Sequence, residues 1–105
     1  MAGPPEGLTY ELLEEIDETT QEVFDLATLA DAKRREGSRR NSYEKALEEV
    51  QDTASKAAAR ALAEWIKEEI RTTGKFPSGR DVRQRGAEIC RKNGHEVSTG
   101  SWLGA

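Results

Sequence analysis

Residues 41–74 read NSYEKALEEVQDTASKAAARALAEWIKEEIRTTG, and the spacing of apolar residues in this run sets the architecture. Asn41-Ser42-Tyr43-Glu44 has the form of a capping box, with Asn41 as N-cap and Glu44 reaching back to it. Beyond it Tyr43, Leu47, Val50, Ala54, Ala57, Ala61 and Trp65 recur at steps of three and four, and Leu62, Ile66 and Ile70 widen the stripe. That is the period of an amphipathic helix. No proline or glycine interrupts it before Gly74. At 1.5 Å per residue, about 30 residues make a rod of roughly 45 Å. Its alanines leave little bulk, so a partner helix can approach closely.

Upstream, Leu8, Leu12, Leu13, Ile16, Val23, Phe24, Ala27 and Ala30 keep the same period, with Thr20 filling a gap. This predicts a helix over residues 8–36, soft at Thr19-Thr20-Gln21 because threonines lose rotamer freedom in helices. Acids crowd its first turns and Lys33, Arg34 and Arg35 its last, as the helix dipole favours. Gly37 supplies the stop. A second long helix over 41–73, after the short turn 37–40, folds back as an antiparallel hairpin. A bare hairpin leaves part of each stripe wet. Pairing as a homodimer would cover it; so would a C-terminal third layer within a monomer.

Downstream, Pro77 bars helix at the residue before it, and Ser78-Gly79-Arg80-Asp81 is a second capping box with the acid at N3. Val82, Gly86, Ile89 and Cys90 form a narrow apolar stripe, Gly94 closes the helix, and His95-Glu96-Val97 reads as extended or turn-like. Ser98 is placed to cap a further turn carrying Trp102 and Leu103. The expectation is therefore one all-α domain over residues 1–105. It comprises an acidic helix (8–36), an Ala-rich helix (41–73), and a basic helix with its tail (74–105).

Composition narrows the function classes. Hydrophobic residues make up 35% and charged residues 34%, and no run approaches the ~20 apolar residues of a membrane span. Residues Met1–Glu6 lack the basic start and apolar stretch of a signal peptide, so a cytoplasmic protein is expected. A single cysteine and a single histidine exclude an internal disulfide and argue against structural zinc. Cys90 and His95 are the candidates for nucleophilic chemistry, but no orienting group or oxyanion site accompanies them. Neighbouring carboxylates such as Glu14-Glu15 and Glu68-Glu69 do not converge. Neither an enzyme, a cofactor, a metal nor a small-molecule substrate is expected.

The net charge of −4 hides a strong asymmetry. Residues 1–32 hold nine acids and no Lys or Arg, whereas 33–40 carry Lys33, Arg34, Arg35, Arg39 and Arg40 against Glu36 alone. Residues 74–105 again favour bases, six against three acids. Such a pattern suits a polyanion at the basic places only, an acidic arm lying on a basic surface, or simple solvation of helix faces.

Gly74-Lys75-Phe76-Pro77-Ser78-Gly79-Arg80-Asp81-Val82 resembles the linker of winged-helix repressors of the LexA and GntR types. Gly94, Val97, Ser98 and Ser101 are similar to the turn and recognition-helix start of that helix-turn-helix. The resemblance covers residues 57–105 and implies duplex DNA as the ligand. The helix from Ser78 to Asn93 is about two turns longer than the family's. Seven residues follow Ser98 and no wing strands do.

Together these readings predict a small DNA-binding, transcription-associated protein. Arg80, Arg83, Arg85, Arg91 and Lys92 neutralise phosphates, with Ser98 and Ser101 near the groove. Arg39 and Arg40 add a contact at the hairpin tip, or merely compensate the helix dipole. The alternative is a helical protein–protein adaptor or assembly subunit, including an acidic DNA mimic that inhibits a nucleic-acid enzyme. There the tail residues Trp102 and Leu103 dock into a partner; otherwise Trp65 and Trp102 weld the C-terminal unit to the long helix.

Overall fold

The computed structural model describes residues 7–98 and 100–104. The leader-peptide reading rests on residues 1–6 and lies outside that range. The described chain is all-helical: α1 (Gly7–Val23), α2 (Leu26–Thr53), α3 (Lys56–Thr73), α4 (Gly79–Lys92) and a single 3-10 turn at Trp102–Gly104. No described helix is long and apolar enough to cross a membrane.

The two breaks in the first half fall elsewhere than expected. The helix predicted over 8–36 ends at Val23, and the turn predicted at 37–40 is the interior of α2. Asp25, not Asn41, is the N-cap of α2, its side chain accepting from the Thr28 amide at 3.1 Å. The physical reason lies on α2's inner face. Ala32, Glu36, Tyr43, Ala46, Leu47 and Val50 are all buried, and they fall on one face only if the helix runs unbroken through Gly37. A mid-helix glycine costs about 1 kcal/mol relative to alanine, less than burying one large side chain returns. Ala27 and Ala30, expected on the apolar face, are exposed.

The helix predicted over 41–73 is likewise two helices. Ser55 caps α3 by accepting from the Ala58 amide at 3.1 Å. What reads in sequence as a widening stripe is a change of face. Up to Val50 the buried positions follow one line; from Ala58 they are Ala58, Ala59, Leu62, Ala63, Ile66 and Ile70, rotated by roughly 150° at 100° per residue. One straight helix cannot bury both lines against the same core. Ala57 and Ala61, expected on the seam, point to solvent, while Ala58, Ala59 and Ala63 are consumed by packing within the chain.

The third helix forms as its local signals predict. The Ser78 hydroxyl accepts from the Asp81 amide at 3.1 Å. Gly74 and Gly94 end α3 and α4 in left-handed conformations, φ 69° and 82°. The linker between these helices is pinned from two sides. Phe24 stacks on Phe76 with ring centroids 5.6 Å apart, and the buried Tyr43 hydroxyl donates to the Pro77 carbonyl at 2.9 Å.

A single core joins Leu12, Leu13 and Ile16 of α1 to Tyr43, Leu47 and Val50 of α2, Leu62, Ile66 and Ile70 of α3, and Val82, Ile89 and Cys90 of α4. Leu103 closes it from the tail. At Gly86 a Cβ would stand 2.9 Å from Leu103 Cδ2 and 3.1 Å from Val50 Cγ2. Only glycine lets the tail seat there. The tail is thus a layer of the chain's own core.

Candidate nucleic-acid interface

α4 supplies the surface. Its inner face (Val82, Gly86, Ile89, Cys90) is buried, which turns Arg80, Gln84, Glu88, Arg91 and Lys92 outward. Arg80 and Arg91 are eleven residues apart, so they share one side about 16 Å apart along the axis. No carboxylate among the described residues lies within ion-pair distance of Arg80, Arg91 or Lys92. Elsewhere Lys33 is held by Asp17, Arg34 and Arg35 by Asp31, Arg60 by Glu15, Lys67 by Glu15 and Glu64, and Arg71 by Glu68, whereas the exposed Lys45, Lys56 and Lys75, scattered over α2, α3 and the linker, also lie outside ion-pair distance of any described carboxylate.

The other predicted contact residues have intramolecular duties. Arg83 lies over the Trp102 ring, 5.1 Å from its centroid, and ties the tail to α4. Arg85 pairs with Glu88 at 2.6 Å and sits 5.8 Å from the centre of the Trp65 ring. Beside it, between α3 and α4, is an open groove of about 330 Å³ lined by Trp65, Glu69, Asp81, Gln84, Arg85 and Glu88. Carboxylates outnumber cations there, so the groove is unsuited to phosphate. Ser98 and Ser101 build the tail turn. Ser98 Oγ accepts from the Gly100 amide, its carbonyl from both the amide and the hydroxyl of Ser101, and Ser101 Oγ from the Gly104 amide.

Arg39 and Arg40 sit mid-helix rather than at a hairpin tip. Arg39 donates to the Pro77 carbonyl at 3.3 Å, which brings it to the linker just before α4. That proximity depends on α2 being continuous. Arg40 lies near Glu36, whose ionised form its charge favours. Trp102 is half-buried, and Leu103 is buried at 5% exposure. Cys90 is buried, its thiol pushed up by burial and then by the charge of Glu49; His95 is exposed beyond Gly94. Among the described residues no cluster of three or more His, Cys, Asp and Glu side chains is arranged to hold a metal.

Two features escaped the sequence reading. Glu36 is buried at 6% exposure between α1 and α2 and accepts from the Thr20 hydroxyl at 3.1 Å. Burial, then its contact with Asp17, pushes its carboxyl up to about 7, against Thr20 and Arg40. The signal was Thr20 on an otherwise apolar stripe. The second is Leu26, 91% exposed at the start of α2; three residues after Val23 and four before Ala30, it is in step with the apolar period, so nothing local set it apart.

Comparison with models of protein families, with curated proteins and with solved structures gives no match to this chain.

Proposed function

We propose that this protein binds duplex DNA through the outward face of α4, by phosphate contact rather than base reading. The observation that carries it is the gathering on one short helix of the exposed trio Arg80, Arg91 and Lys92, cations with no carboxylate partner among the described residues. The tail after α4 forms one 3-10 turn whose Leu103 is committed to the core, so contact rests on phosphates, which carry no base sequence directly. The acidic face of α1 belongs to a helix that does not pack on α4, which keeps its repulsion at a distance.

Counterion release tests this. Three phosphate contacts predict that log affinity for a random duplex falls against log salt with a slope of about −3. The triple variant Arg80→Ala, Arg91→Ala, Lys92→Ala flattens the slope and leaves the fold intact, because all three side chains are exposed. A flat wild-type response, or a triple variant that binds as the parent does, sinks the reading.

A further inference from the structure

The corner where α1 turns into α2 is held differently from the rest of the fold. Up to Ile16, α1 is anchored by the buried Leu12, Leu13 and Ile16. From there to Gly37 the buried side chains are Thr19, Thr20, Ala32 and Glu36, with Val23, Phe24 and Leu29 only half-buried. A segment with so few buried apolar contacts is one that opens on its own. Gly37, exposed in mid-helix, is a weak point in α2 at which such an opening can stop.

The polar centre of the corner is the pair Asp17 and Glu36, one on each helix. The buried Glu36 carboxyl lies against Asp17, and no described base comes within ion-pair distance of it. Asp17 is fixed as the charged partner. Lys33 stands 3.7 Å from its Oδ1, and the Gln21 side-chain amide donates to its Oδ2 at 3.1 Å. Two carboxyls in contact share a hydrogen bond only when one of them carries a proton. Thr20 adds to the demand. Its hydroxyl lies 2.9 Å from the Ile16 carbonyl and 3.1 Å from Glu36 Oε2, and its one proton cannot fully serve both. A proton on Glu36 supplies the missing donor. The other groups facing it belong to α2: Arg40, which favours its charged form, and the Tyr43 hydroxyl, which feels its charge.

We propose that Asp17 and Glu36 form a proton-operated latch: one proton held between the two carboxyls keeps the corner folded, and its loss lets residues 17–36 unfold locally while the core of α3 and α4 stays closed. Without the proton two like charges meet where Glu36 is shielded from water, and opening relieves this by hydrating them. The opening parts Phe24 from Phe76 but spares Leu12, Leu13 and the bridge from Glu15 to Lys67. The latch is independent of the reading of α4 as a phosphate-binding face.

Amide hydrogen exchange of the full chain, corrected for the intrinsic rate at each pH, tests this. Glu36 keeps its proton to about pH 7 in the closed corner and to its ordinary 4.5 in the open one. The opening constant therefore rises with pH between those values and levels off above them. Protection at residues 19–24 and 29–36 falls by roughly fiftyfold from pH 5 to pH 8, while residues 62–70 and 82–90 keep theirs. Glu36→Gln, neutral and of the same size, removes the pH dependence. Asp17→Asn moves its midpoint to lower pH, because the neighbouring charge no longer holds the proton in place. Carbon-13 titration of the Glu36 carboxyl in the wild type reads the proton directly and needs no variant. A Glu36 midpoint near 4.5, or a loss of protection shared equally by α4, overturns the inference. So does a pH profile that survives Glu36→Gln, or a midpoint that Asp17→Asn leaves in place.

Discussion

α1 and α4 are alike in outline and opposite in chemistry. α1 turns Glu11, Glu14, Glu18 and Glu22 to solvent, whereas α4 turns out Arg80, Arg91 and Lys92 together with Asp81 and Glu88. Their attachments differ. α4 is held by an apolar seam so tight that Gly86 has no room for a methyl group. α1 adds polar ties to its apolar ones. Thr20 donates to buried Glu36, and Glu15 accepts from Lys67 at 2.9 Å. That lysine is 8% exposed and bridges to Glu64 as well. Burial works against its charge, but hydrogen bonds to Glu64 and Glu15 raise its affinity for the proton, and Lys67 in turn holds the Glu15 carboxyl below its ordinary range. An apolar seam is indifferent to pH. A seam with buried carboxyls is not, so the two helices should respond to different perturbations.

The largest effect is expected at the apolar seam. Gly86→Val drives a branched side chain into Leu103 and Val50, with a destabilisation of about 3 kcal/mol read as a lower urea midpoint at every pH. Trp102 fluorescence should report the tail leaving α4 first. An unaltered midpoint would show that the tail seat is loose.

Next comes the carboxyl under α1. The proton of Glu36 is held more tightly in the fold, near 7 against an ordinary 4.5, so its contribution is complete below about pH 4.5 and is lost as pH rises through about 7. The charged groups facing it are Asp17 from α1 and Arg40 from α2, with Lys33 bound to Asp17. Glu36→Gln should leave stability at pH 4.5 nearly unchanged and raise it at pH 8 by about 2 kcal/mol. Parallel pH profiles for the two proteins would show that Glu36 does not titrate in this range. Glu15 runs the other way: its depressed pKa adds stability above its ordinary value that acid removes. The hold on α1 is therefore weakened at both extremes.

The smallest effects separate the helix caps. Ser78→Ala and Ser55→Ala each remove one side-chain acceptor from a helix start, at about 1 kcal/mol. The first should loosen α4 alone. The second acts where α2 and α3 meet, and should be felt across the molecule in amide hydrogen exchange. Equal, local effects at both sites would mean that the Ala54–Ser55 break is no more than a kink.

α4 was legible residue by residue because every signal that bounds it is local. Pro77, Ser78, Asp81 and Gly94 act on their own neighbours. The breaks near residues 25 and 55 also carry local caps, Asp25 and Ser55, yet competing signals at Gly37 and Asn41 were as strong. What chose between them was burial. Tyr43 reaches Pro77 and Glu36 reaches Thr20 only if α2 is continuous, and those partners lie 34 and 16 residues away. The candidate site was legible as a list of basic residues, but not as a surface. Arg83 and Arg85 have the same sequence signature as Arg80 and Arg91; only the positions of Trp102, Trp65 and Glu88 separate the occupied guanidiniums from the open ones.

Residue types and their spacing suffice to specify an all-helical chain, the caps of α4, the amphipathic faces and the polarity of charge along them, since each depends on contacts within one or two turns. Where α2 begins and ends, which cations remain available, and that the tail is core rather than handle depend on groups distant in sequence meeting in space. A helical period records which face is apolar. It carries no information about what will lie against it.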